Sequence, residues 1–64
     1  MIDVMAIKVG ARLKLQEGVI AEVTENMEDG QWLQVRYIES PGRPTEVGTT
    51  ELCHAQDVIK VLSE

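Results

Sequence analysis

Cys53 and His54 stand side by side, and a thiol close to an imidazole can become a nucleophilic thiolate. Adjacent residues on a strand point to opposite faces, however, and no acid has a spacing that would orient the imidazole. The pair reads as a small buried cysteine beside a surface histidine, and no catalytic residue is assigned. A single Cys and a single His cannot complete a tetrahedral zinc site without carboxylates. Glu22, Glu25, Glu28 and Asp29 are acidic enough for a cation, but Glu28-Asp29 falls in a short hairpin that lacks the loop length calcium coordination uses. Neither a metal nor a cofactor is expected. Two residues remain as candidates for recognition. Arg43, between Gly42 and Pro44 on a projecting loop, is placed to meet an anion or a partner carboxylate; the alternative is an ordinary solvated arginine. Trp32 is either a platform for a flat or proline-rich ligand or an apolar surface for packing. Aromatic grooves use several rings, and Trp32 and Tyr37 are the only aromatics here, which favours packing or an interface.

The elements that must position these residues are strands. Val, Ile and Thr are abundant, and the apolar positions mostly alternate with period two. Five strands are predicted. The first runs from Val9 to Leu15 with Val9, Ala11, Leu13 and Leu15 inward, and the second from Val19 to Met27 with Val19, Ala21 and Val23 inward. The third, Gln31 to Glu39, turns Leu33, Val35 and Tyr37 to the same interior. A fourth spans Thr45 to Cys53, and a fifth covers Val58 to Leu62 with Ile59 and Val61 inward. Pro41, Gly42 and Pro44 place a rigid loop between the third and fourth. Ala55-Gln56-Asp57 reads as one 3-10 turn before the last strand.

Register follows from the turns. Two-residue loops at Glu17-Gly18 and Asp29-Gly30 would set Leu13 against Glu22 and Val23 against Arg36. Three-residue loops, Gln16-Glu17-Gly18 and Glu28-Asp29-Gly30, put glycine at a left-handed bulge position and bring every face into agreement. Ala11, Val23 and Val35 then form one inner row, Leu13, Ala21 and Tyr37 another, and Arg12, Glu22 and Arg36 an outer row of alternating charge. The same register sets Ile20 opposite Ile38 on the outside, with Trp32 across from Asn26 and near Leu52. The predicted fold is all-β, a five-stranded SH3-like barrel over residues 9–64, preceded by residues 1–8 as an N-terminal arm or edge strand. A helical turn is a third reading of that segment.

Size and charge narrow the function. The chain has 64 residues and a net charge of −5, so it forms one small domain whose surface is not built to gather phosphate backbones. One cysteine excludes a disulfide framework within the chain. The longest apolar run, Val4 to Ile7, is far short of the ~20 residues of a membrane span, and no signal-peptide layout opens the sequence. A soluble, cytoplasmic protein with no membrane partner is expected. A core of this size seldom leaves more than about 3–5 kcal/mol of net stability, and with disulfide and metal set aside, a partner subunit is the remaining support.

Val9-Gly10-Ala11-Arg12-Leu13-Lys14 resembles the opening of many small bacterial SH3-like barrels, including KOW segments. Gly10-Ala11-Arg12, Glu39-Ser40-Pro41-Gly42 and Ala55-Gln56-Asp57-Val58-Ile59 are similar in layout to the type II dihydrofolate reductases borne on plasmids and integrons. Where that family carries a Val-Gln-Ile-Tyr strand lining a tetramer pore, this chain reads Glu46-Val47-Gly48-Thr49-Thr50-Glu51. The likeness therefore implies an architecture and a precedent for oligomers, not the activity.

The expectation that follows is a non-enzymatic binding or assembly module acting as a homo-oligomer, dimer or tetramer, or with another protein partner. Its contact surface is Ile20, Trp32, Ile38 and Leu52, left over on the outside; strand coiling or coverage by residues 1–7 is the competing account of that surface. Two other functions are weighed. One is a small-ligand protein or enzyme with a site at a subunit junction, lined by polar residues such as Gln34, Thr49 and Thr50. The other is a KOW-like nucleic-acid module using Lys8, Arg12 and Lys14, against which the acidic balance argues.

Overall fold

The computed structural model describes residues 3–63. Five antiparallel strands form one sheet: β1 (Arg12–Leu15), β2 (Ile20–Asn26), β3 (Trp32–Glu39), β4 (Thr50–His54) and β5 (Val58–Ser63). Their spatial order is β4-β3-β2-β1-β5. The other regular elements are 3-10 turns at Val4–Ala6, Gln16–Gly18, Pro44–Glu46 and Ala55–Asp57, the last immediately before β5 as expected. Among the described residues no helix is long and apolar enough to cross a membrane.

The three-residue turn Ala55–Asp57 joins the two strands at opposite edges of the sheet, so the sheet has to curl on itself. It does not close. β4 and β5 are not paired, so the all-β, five-stranded fold expected from the sequence is present as a rolled sheet whose barrel stays open at that seam. The reason lies in β4, which begins at Thr50 rather than Thr45. Pro44 starts a 3-10 turn, the Thr49 hydroxyl donates to the Glu46 carbonyl at 2.6 Å, and Gly48 adopts φ +89, a left-handed conformation that a strand does not use.

Leu13, Leu33, Val23 and Val35 are the largest fully enclosed side chains, from three neighbouring strands. Both inner rows expected from the sequence are present: Leu13 pairs with Ala21 and Ala21 with Tyr37, while Val23 pairs with Val35 and donates its amide to the Ala11 carbonyl at 2.9 Å. The outer row Arg12, Glu22 and Arg36 is also in register, with Arg36 Nη2 3.5 Å from Glu22 Oε1. The β1–β2 hairpin closes over Gln16–Gly18, where the Leu15 amide donates to the Val19 carbonyl at 2.7 Å. Gly18 is left-handed as the turn requires, and Glu17 joins it at φ +62.

Three departures share a cause, the insertion of an extra residue into a strand. A register shift between Val23 and Glu25 moves the distal half of the β2–β3 hairpin by one position. Asn26 therefore pairs with Leu33, Trp32 receives the Met27 amide, and the loop is the four residues 28–31. Its shape is held by side chains: Asn26 Oδ1 accepts from the Glu28 amide, and Asp29 Oδ1 from the amides of Gln31 and Trp32. Those two amides hold the Asp29 carboxyl below its usual range. A second shift, between Ile20 and Ala21, pairs Ile20 with Glu39 instead of Ile38. In β5 a shift around Ile59 leaves Val58 and Val61 facing the core and Ile59 half exposed, where Ile59 was expected inward.

Of the three readings of the N-terminal segment, the helical turn is the one seen among its described residues. Asp3 caps a 3-10 turn, its Oδ1 accepting from the Met5 amide, and a three-residue repeat then places Val4 and Ile7 together in the core. The Asn26 amide nitrogen clamps this turn, donating to the Val4 and Ile7 carbonyls at 2.9 Å each. Val9, expected inward, is 65% exposed because the Lys8 carbonyl accepts from the Ala11 amide in a tight turn with Gly10 at φ +93.

Candidate functional site

The four residues expected on the outside divide into two pairs. Ile20 and Ile38 are half-buried; Ile20 pairs with Glu39, and Ile38 is the extra residue of the bulge between that pair and Ala21–Tyr37. Trp32 and Leu52 are exposed, at 39% and 62%. They are diagonal neighbours across β3 and β4, because Trp32 pairs with His54 and Gln34 with Leu52. Sequence reasoning placed Trp32 near Leu52 but missed His54, whose ring meets the indole edge-on, centroids 4.8 Å apart and planes at 88°. With one face of the surroundings already taken by that imidazole, Trp32 is part of a packed cluster and not a bare platform. Gln34 and Thr24 bond each other beside it, Gln34 Nε2 donating to Thr24 Oγ1 at 3.2 Å. The surface formed by Trp32, Gln34, Thr50, Leu52 and His54 is bordered by Arg36, opposite Thr50, and by Glu25, opposite Gln34.

A second feature was not anticipated. A cavity of about 190 Å³ opens between the β1–β2 turn, the loop after β3 and the turn before β5. Arg43, the expected ligand residue, lines it together with Glu46, whose Oε1 lies 3.5 Å from Arg43 Nη1. Tyr37 and Ser40 belong to its wall, and Cys53 to its base. Burial pushes the Tyr37 phenol upward, reinforced by the negative charge of Glu46 and Glu51. Of the reductase-like polar set, Gln34 and Thr50 are diagonal neighbours on the outer face, Gln34 bonded to Thr24 and Thr50 opposite Arg36, while the Thr49 hydroxyl is tied to the Glu46 carbonyl. No sequence signal links the segments that meet at the cavity, since they lie far apart along the chain and converge only when β5 pairs with β1.

Comparison with protein-family models, curated proteins and solved structures gives no match. The site therefore rests on its own chemistry. Among the described residues no group of His, Cys, Asp and Glu side chains is arranged to hold a metal ion.

Cys53 is 3% exposed, and its thiol lies 3.5 Å from the His54 carbonyl, not from the imidazole. Burial, with a contribution from Asp57, pushes the thiol up to about 11 from 9.0. Two units leave roughly 100-fold less thiolate near neutral pH. Iodoacetamide at pH 8 is expected to alkylate the folded protein about 100-fold more slowly than the urea-unfolded chain; equal rates would show an accessible, activated thiol. Because the folded state holds this proton more tightly than the unfolded one, the associated stability is complete below pH 9 and is lost as the pH rises toward 11.

Proposed function

We propose that this chain is a small, non-enzymatic assembly module of the cytoplasm that works as a homo-oligomer, copies meeting through the outer face of β3 and β4. The supporting observation is the exposed pair Trp32 and Leu52, bordered by one charge of each sign, Arg36 opposite Thr50 and Glu25 opposite Gln34, in a molecule with a net charge of −5. Two such surfaces that meet across a two-fold axis cover the apolar pair of each copy and have charges of both signs at their border, so the net negative charge is not concentrated there. Exposure of one Leu forfeits roughly 1.5–3 kcal/mol relative to its burial, a large fraction of what a domain this small retains. β4 is also an open sheet edge, so its backbone is available beside the same patch. The likeness to small barrels that work as oligomers agrees with this reading. A different class of partner, nucleic acid, draws support from Lys14 standing directly opposite Lys60 with Arg12 beside them, but that row is short and the rest of the surface is acidic.

Leu52→Asp is the direct test, because Leu52 is outside the core and its replacement leaves the fold intact. Wild type is expected to sediment as a dimer or tetramer at micromolar concentration and Leu52→Asp as a monomer with the same circular dichroism. A wild type that stays monomeric under those conditions would falsify the proposal.

A further inference from the structure

The cavity offers a second activity, independent of assembly. We propose that it binds an alkylammonium group, with the cationic head among Glu17, Glu46 and Asp57 and the alkyl stem against Leu15 and Val19.

Its size comes first. At about 190 Å³ it is below the roughly 300–1,000 Å³ of sites for drug-sized ligands, and it suits one extended side-chain-sized group. Charge sets the sign of the ligand. Glu17, Glu46 and Asp57 line the cavity against the single guanidinium of Arg43, which is already shared with Glu46. Glu17 and Asp57 make no ion pair among the described residues, so a cation entering there meets two unopposed carboxylates.

Ser40 is the observation that carries the inference beyond an acidic rim. It lines the cavity and is only 6% exposed, yet its hydroxyl has no hydrogen-bond partner among the described residues. No buried side-chain oxygen or nitrogen is sealed off without a partner, so this hydroxyl opens to the cavity and not into the core. A serine oxygen that opens to the cavity without a protein donor is free to accept from a ligand, and an ammonium brings three donors. Tyr37 lines the same space, and its phenol, pushed upward by burial and by nearby carboxylates, is a second neutral oxygen there. Leu15 and Val19 supply an apolar wall along which a methylene stem can lie while its charged head stays at the rim.

Two sources share this chemistry, a lysine side chain of a peptide and a free alkylamine. Amide chemical-shift titration of the ¹⁵N-labelled protein in moderate salt distinguishes them. The probes are n-butylammonium, Nα-acetyl-lysine-N-methylamide and the neutral isostere Nα-acetyl-norleucine-N-methylamide. Both ammonium compounds are expected to shift the amides of Tyr37, Ser40 and Cys53, and the norleucine compound to leave them in place. Tighter binding of the lysine compound identifies a peptide source, and equal binding a free amine. The Glu17→Gln/Asp57→Asn double variant, which alters no core residue, is expected to weaken binding at least about tenfold, and Ser40→Ala to weaken it with the fold unchanged. Leu52→Asp is expected to bind as wild type does, so loss of assembly and loss of the ligand site are separate results. Equal shifts from the norleucine compound, shifts scattered over the acidic surface, no shifts at all, or an unchanged affinity in the double variant each overturn the proposal.

Discussion

Leu33→Ala leaves little folded protein at room temperature. Leu33 is completely enclosed in β3, where its backbone pairs with Asn26 on one side and Cys53 on the other, so the strand cannot shift to fill the space. Truncating such a leucine costs about 2.7–5 kcal/mol, the upper part of the range applying where neighbours cannot collapse. A domain of this size holds only about 3–5 kcal/mol. The measurement is a urea titration followed by circular dichroism and by Trp32 fluorescence. Leu62→Ala, at a half-exposed position on β5, serves as the control and is expected to unfold near the wild-type midpoint. A Leu33→Ala midpoint equal to that of Leu62→Ala would show that β3 is not the centre of the core.

Asn26→Asp is expected to remove roughly 2–4 kcal/mol, although it changes neither volume nor shape. The Asn26 amide nitrogen donates both its hydrogens, to the carbonyls of Val4 and Ile7. A carboxylate in that position turns a donor into an acceptor facing two oxygens. The loss extends further than two hydrogen bonds, because the clamped turn keeps Val4 and Ile7 in the core at 5% and 4% exposure. Hydrogen exchange separates the parts: the Ile7 amide, bonded to the Val4 carbonyl, should lose protection first. Asn26→Asp with wild-type stability and an unchanged Ile7 exchange rate would rule out the clamp. Protonating the introduced carboxylate at low pH is expected to restore part of the loss, since a neutral acid can donate one bond again.

These two residues also mark how far the sequence could be read. Leu33 was legible as core because alternation in Trp32–Glu39 is unbroken and glycine-bearing turns fix which face is which. The inner rows and the charged outer row followed from the same two constraints, parity and turn length. Asn26 was not legible. Its role depends on a one-residue bulge near Thr24, and nothing in the residue types there separates a bulged strand from a regular one. That shift separated Trp32 from Asn26, and a second one paired Ile20 with Glu39 and left Ile38 as a bulge residue, so the regular outer rows expected from parity are interrupted at both ends of the hairpin. The N-terminal segment stayed open among arm, edge strand and helical turn for a different reason. Val4 and Ile7 are spaced for a 3-10 turn, but a run of four apolar residues has no periodicity that distinguishes turn from strand. The cavity lay beyond reach because it is made by chain closure, which brings Glu17, Arg43 and Asp57 together only in three dimensions. Arg43 was singled out from its rigid loop alone, and the carboxylates and serine around it were not.

The lysine pair on β1 and β5 has a consequence for this protein at high concentration. An open strand rim invites templating by other chains, and a small sheet with two such rims is at risk of fibril growth. A copy that added its own β5 to that rim in register would set another Lys60 beside a lysine already facing Lys14, so like charge opposes pairing of β5 with β5. The molecule tolerates that unfavourable pair once in exchange for a rim that resists runaway polymerisation.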